Sequence, residues 1–170
     1  MKLGRNTVQE LRFDWREALE RAEVTLWDPP TVARIQRPER RGQLVQRFAL
    51  PLELCPTTNR TRHTIAWQHA RDKANLMTCL RSQMRGVLRA AAPLQGRPQV
   101  LCMRLSTVEP DTYGDWAKRA VDALCVPAGR RKDGLGFLGD DRPKDIELVQ
   151  WWEPAKRGEG LVYIEIRSET

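Results

Sequence analysis

Val8, Leu11, Trp15, Leu19 and Ala22 recur at three- and four-residue intervals, the period of one helical face, until Asp28-Pro29-Pro30 breaks the pattern. Arg37-Pro38-Glu39-Arg40-Arg41-Gly42 then reads as a charged linker. Residues 1–42 are therefore expected to form an N-terminal extension carrying one helix, and residues 43–170 the main domain. Phe48 to Leu54 alternates loosely, as a strand does, and stops at Cys55-Pro56. A polar, basic loop from Thr57 to His63 follows. From Thr64 to about Ala92 the spacing predicts a long helix with Ala66, Ala70, Ala74, Met77, Leu80, Met84 and Leu88 on one face.

Val100 to Leu105 reads as a second strand, and a second helix is expected from near Asp115 to Leu124-Cys125, ahead of Pro127. Pro127 to Pro143 is a loop of glycine, arginine and aspartate. Ile146–Trp152 and Leu161–Arg167 read as strands, joined at Gly158-Glu159-Gly160 into an antiparallel hairpin. One tryptophan of the Trp151-Trp152 pair is expected to face the core. The order β-α-β-α-β-β predicts an α/β (α+β) fold, a mixed sheet with helices packed on it, plus the N-terminal helical extension.

The chain has 170 residues, 41% hydrophobic and 30% charged, which suits one globular core rather than a disordered polymer. Its net charge of +7 comes almost wholly from arginine, 23 against 6 lysines. Arginine grips phosphate with a planar fork that lysine lacks, although a GC-rich coding sequence produces the same bias. Net positive charge favours an anionic partner from either cause. Cys55, Cys79, Cys102 and Cys125 are too far apart for a CxxC pair, and His63 and His69 are the only imidazoles. A structural zinc site is thereby disfavoured, and Cys79 and Cys102 read as buried thiols. With no signal-like start and no long apolar run, a soluble, reducing, cytoplasmic setting is expected.

Against this basic background, Asp111 to Asp141 gathers Asp111, Asp115, Lys118, Asp122, Asp140 and Asp141. On a helix, Asp115, Lys118 and Asp122 share one face, with Ala117, Val121 and Leu124 turned mainly to the other. Asp111 lies just before that helix, and Asp140-Asp141 must come from elsewhere in the fold. Carboxylates brought this close resist ionisation unless a cation sits among them. Two acids from each segment suit a hard cation such as Mg²⁺, which polarises a phosphodiester and generates a hydroxide. The same residues also fit a helix start, an i,i+4 surface pair and a turn, and spacing alone does not choose. Arg81, Arg85 and Arg89 recur every fourth residue as a basic stripe, or as an ordinary solvated face. Asn59, Arg60 and Arg62 occupy the loop after the first strand, a position where loops carry function.

Pro56-Thr-Thr-Asn59-Arg60 ahead of a long helix, the run Asp115-Trp116-Ala117-Lys118-Arg-Ala-Val-Asp122-Ala-Leu124, and Gly139-Asp140-Asp141 before a strand together resemble the RusA-type Holliday-junction resolvases. The likeness covers residues 46–167. It departs at Thr112 and Gly114, which stand where the family motif Asp-x-Asp-Asn-Leu-x-Lys-x-x-x-Asp-x-Leu has its leading aspartates. The link from Leu124 to Asp140 is also longer than the family's. The resemblance implies a RusA-like endonuclease domain and a homodimer that nicks a four-way DNA junction with Mg²⁺ (or Mn²⁺) in recombination and repair, in a bacterial or phage-infected cell. It implies metal binding by Asp140 and Asp141; Asp111 and Asp115 do not carry over from the family and are expected, on their chemistry alone, to substitute for the missing acids. Lys118 would stabilise the transition state and Asp122 would orient Lys118. Asn59, Arg60, Arg62, Arg81, Arg85 and Arg89 would bind nucleic acid. Because the leading aspartates are altered, a degenerate relative that binds branched DNA without cutting it is the alternative, and a basic interaction protein with no nucleic-acid role is a second.

Overall fold

The computed structural model describes residues 13–57, 66–87, 89–110, 116–129 and 133–169. Helix α1 spans Trp15–Trp27, strand β1 Leu44–Leu50, α2 Ala66–Ser82, β2 Gln99–Ser106, α3 Lys118–Leu124, β3 Glu147–Pro154 and β4 Leu161–Arg167, with a short 3₁₀ turn at Leu52–Leu54. The fold is mixed α+β: one four-stranded mixed sheet, ordered β1-β4-β2-β3, with three helices packed on it. Among the described residues no helix is long and apolar enough to cross a membrane.

Alternation along the strands gives the sheet two apolar faces. On one face Phe48, Leu50, Val100, Cys102, Val162, Ile164 and Ile166 meet Leu76, Met77 and Leu80 of α2 and Ala120, Val121 and Leu124 of α3. On the other, Ala49, Leu101, Met103, Leu105, Trp151, Leu161 and Tyr163 meet Ala18 and Ala22 of α1. The helix of the N-terminal extension thus forms one outer layer of the fold. It starts where Asp14 accepts from the backbone N–H groups of Arg16 and Glu17 at 2.9 and 3.3 Å, satisfying donors that no turn of helix precedes. Both Trp151 and Trp152 are buried, and their indole N–H groups donate to Glu153 and Ser106 respectively.

The expected β3–β4 hairpin does not form. Strand β2 lies between the two, parallel to β3 (Gln99 opposite Glu147 through Ser106 opposite Pro154) and antiparallel to β4. Every residue of β2 is buried, which claims the centre of the sheet for it. Residues 155–160 suffice to step over one strand, since neighbours sit only about 4.8 Å apart. Strand β1 also differs from its expected bounds: pairing stops at Leu50, and Leu52–Leu54 winds into the 3₁₀ turn.

The long helix is shorter than its periodicity predicts, ending at Ser82 instead of near Ala92. Leu76, Met77, Leu80 and Met84 are buried, whereas Ala70 and Ala74 are exposed; the side chains of Ala66 and Leu88 lie outside the description. Gln83 explains the stop. Its side-chain amide donates to Ala49 O at 2.7 Å and accepts from Ala49 N–H at 2.9 Å, binding the chain to the outer edge of β1. Arg85 and Gly86 follow with φ of 50° and 87°, the left-handed backbone that ends helices. The Gln83 amide and the bulge between Leu44 and Gln46 together blunt β1 as an open edge.

Candidate functional site

Residues 125–138 decide where the acidic segments meet. Leu135 N–H donates to Ala123 O at 2.8 Å and Phe137 N–H to Leu124 O at 2.9 Å, while Val126 N–H donates to Leu138 O at 2.8 Å. The end of α3 is therefore wrapped by the very segment that leads into Asp140. Gly134 allows this approach, because a Cβ at that position would sit 2.1 Å from Cys125 O. Leu135 and Leu138 are fully buried and fasten the wrap to the core. At its start, Asp133 accepts from Arg81 at 2.6 Å and from Gly134 N–H at 2.9 Å.

The wrap delivers Gly139-Asp140-Asp141 to the outward face of α3. Lys118 Nζ lies 2.6 Å from Asp141 Oδ2 and 3.3 Å from Asp122 Oδ1, so one ammonium joins two carboxylates from segments far apart in the chain. Asp140 accepts from Asp141 N–H at 2.9 Å and pairs with the Arg142 guanidinium at 2.6 and 2.7 Å. The i,i+4 spacing of Lys118 and Asp122, with Ala120, Val121, Ala123 and Leu124 buried behind them, holds the charged pair at the surface.

The three groups shift one another's titration. The hydrogen bond from Lys118, aided by Asp140, holds the Asp141 carboxyl well below the usual carboxylate range. Burial pushes Asp122 up despite Lys118 beside it, and the neighbouring Asp141 pushes the same way. Lys118 is raised, first by its hydrogen bond to Asp141 and against partial burial. The arrangement therefore keeps Asp141 anionic at all ordinary pH values and Lys118 cationic beside it.

The predicted site residues divide accordingly. Lys118, Asp122, Asp140 and Asp141 are brought together. Asp111, Asp115, Asn59, Arg60 and Arg62 lie outside the described residues. The basic stripe does not exist as a helical feature: Arg81 is on α2 and paired with Asp133, whereas Arg85 and Arg89 lie beyond the helix end. Among the described residues no group of three or more His, Cys, Asp or Glu side chains is placed to hold a metal ion. Asp122, Asp140 and Asp141 therefore do not make a cage by themselves, and oxygens from Asp111 or Asp115 would have to complete one.

All four cysteines are free, and Cys55, Cys102 and Cys125 are buried, as expected for Cys102; Cys79 is half-buried. Two residues that sequence reasoning passed over belong to the surroundings of the site. Arg142 neutralises Asp140, and a signal for it exists in the Asp-Asp-Arg run. Arg104, inside the apolar run of β2, donates to Cys55 O at 2.8 Å and lies 5.9 Å from the ring centroid of Trp116, two residues ahead of Lys118. Comparison with protein-family models, curated proteins and solved structures returns no match.

Proposed function

We propose that this chain is a Mg²⁺-dependent, structure-selective endodeoxyribonuclease of the RusA type, acting as a homodimer on four-way or otherwise branched DNA in the cytoplasm of a bacterial or phage-infected cell. The observation that carries the reading is the 2.6 Å pair between Lys118 and Asp141. Two segments that the motif comparison marks as parts of one site, from α3 and from the Gly139-Asp140-Asp141 turn, converge there. Asp141 and Asp140 would supply oxygens to the cation, together with Asp111 and Asp115, and the cation would activate water and stabilise the leaving oxygen. Asp122 positions Lys118, whose charge opposes the negative charge that builds on phosphorus. Arg81, Arg85 and Arg89, with Asn59, Arg60 and Arg62, are the proposed nucleic-acid contacts; Arg81 would have to exchange Asp133 for a phosphate to serve.

One specific observation favours a second reading, a branched-DNA-binding protein that does not cut. Without a metal, Lys118 occupies Asp141 and Arg142 occupies Asp140, and the described carboxylates form no cage. A nicking assay separates the two. Incubated with a synthetic four-way junction and Mg²⁺, the chain should nick opposed strands, and Asp141→Asn should abolish nicking while leaving binding within a few-fold. Tight binding with no nicking in Mg²⁺ or Mn²⁺ would establish the second reading, and the absence of binding would exclude both.

A further inference from the structure

Arg104 is the buried cation of this molecule that pairs with no carboxylate among the described residues. It is 9% exposed, yet its one hydrogen bond is to the Cys55 carbonyl, and its other near neighbour is the Trp116 ring. Other well-buried arginines are answered: Arg37 by Glu153 at 2.6 Å, and Arg167 by Glu165. A guanidinium has five N–H donors; Cys55 O answers one of them, and the rest are not sealed from the cleft and stay available to an anion that enters it. Burial lowers the Arg104 pKa, with Cys55 the group acting against that fall. The side chain also opens onto a cleft of about 320 Å³, lined by Leu52, Thr57, Ser106, Thr107, Val108 and Pro110, with Glu109 on its wall. Thr57 and Pro110 are the last described residues before the loops carrying Asn59 and Asp111. The cleft therefore opens where the segment expected to bind nucleic acid and the segment expected to bind metal leave the sheet. Among the described residues lining the cleft Glu109 is the one carboxylate, and Arg34 is paired with it, which reduces its repulsion of an anion.

We propose that Arg104 is an anion seat for a phosphate group, occupied by a phosphodiester of the DNA backbone, beside the Lys118 site and distinct from it. The identity of the occupant, though not the seat, rests on the nucleic-acid reading above. A phosphate supplies what Arg104 lacks among the described residues: a paired counter-charge and two oxygens matched to the guanidinium fork. Trp116 and the Cys55 carbonyl hold that fork in place before the anion arrives, so little side-chain freedom remains to be lost on binding.

Arg104→Gln and Arg104→Lys test the seat. Glutamine keeps a donor for Cys55 O and removes the charge; lysine keeps the charge and loses the fork. Two measurements are made on each folded variant: affinity for a synthetic four-way junction across a salt series, and the thermal shift from inorganic phosphate against chloride at matched ionic strength. For Arg104→Gln, junction affinity should fall about tenfold or more and the log–log salt slope should shrink by about one. Arg104→Lys should keep the slope with weaker binding, and the phosphate-specific shift should vanish in Arg104→Gln. If junction binding, slope and phosphate shift all match wild type in Arg104→Gln, there is no seat. If phosphate acts through Arg104 while wild type ignores DNA, the seat stands for a free phosphate compound and the nucleic-acid reading falls alone.

Discussion

Replacing Lys118 by methionine should strip the acidic cluster of the one ammonium that joins Asp122 to Asp141. The methionine stem keeps most of the aliphatic contact, so the loss is chiefly that of the ammonium, 2.6 Å from Asp141 and 3.3 Å from Asp122. Lys118 is 59% exposed, so solvent screens both pairs and neither is worth more than about 1 kcal/mol. A combined loss of about 1 kcal/mol at neutral pH, or about 2–4 °C in Tm for a domain of this size, follows. The pH dependence carries the sharper test. Asp141, depressed in the folded state, contributes stability that is present above its unfolded value of about 3.9 and is lost as pH falls through the lower folded value. Asp122, raised by burial, behaves oppositely: its contribution is present below the unfolded value and disappears as pH rises through the folded one. Lys118, also raised, holds its contribution until pH climbs past about 10.4. Removing the ammonium exposes the two carboxylates to each other at neutral pH, whereas on acidification Asp122, raised by burial, takes up its proton before Asp141 does.

Scanning calorimetry of wild type and Lys118→Met at pH 4 and pH 7.5, with and without 10 mM Mg²⁺ (about 10 mM suffices for a millimolar site), reads the effect directly. The Tm difference should be smaller at pH 4 than at pH 7.5. Mg²⁺ should raise the Tm of the variant more than that of wild type, because the Lys118 ammonium no longer competes for Asp141. A site with a Kd of about 1 mM would return about 1.4 kcal/mol at that concentration. A deficit as large at pH 4 as at pH 7.5 would show that the ammonium does not act by separating the carboxylates. Indifference of the variant to both Mg²⁺ and Mn²⁺ would remove the metal-dependent reading.

Two further outcomes test the framework of the site. Gly134→Ala places a Cβ 2.1 Å from Cys125 O, so the wrap around α3 must move; a loss of about 2–3 kcal/mol is expected, seen as a lower urea midpoint, and an unchanged midpoint would contradict the close approach. Burial pushes the Cys55 thiol up to about 12 and Cys79 up to about 11, so native protein at pH 8 should react negligibly with a disulfide reagent at Cys55 and Cys102, whereas all four thiols should react in denaturant.

What could be read from the chain, and what could not, follows the range of the interactions. The apolar run from Val100 and the segment Leu161–Arg167 match their strands closely, because burial on both faces leaves a local record of β-branched and apolar residues. The end of α2 left none: Gln83 stops it by bonding Ala49, 34 positions earlier, and glutamine is otherwise a good helix former. Gly158 and Gly160 correctly signalled a reversal, but a turn names no partner, and β2 took the place between β3 and β4. Within the site, the i,i+4 pair of Lys118 and Asp122 was local and legible. The position of Asp141 depended on backbone bonds of residues 135–138 to residues 123–126, whose partners no side-chain pattern names.

The arginine excess shows how composition and structure weigh differently. Net charge treats every arginine as available to phosphate, yet much of the excess answers carboxylates inside the fold. Arg37 holds Glu153, Arg167 and Arg40 hold the fully buried Glu165, and Arg47 holds Glu23. These pairs lie on the side of the sheet that α1 covers, and their carboxylates would be untenable there unpaired. Arg81, Arg119 and Arg142 are likewise paired, with Asp133, Asp72 and Asp140. An arginine with an acid beside it gains little from a phosphate, since the exchange replaces one anion by another. By that criterion the number of arginines says less about an anionic partner than the position of Arg104, which lines a cleft and pairs with no carboxylate among the described residues.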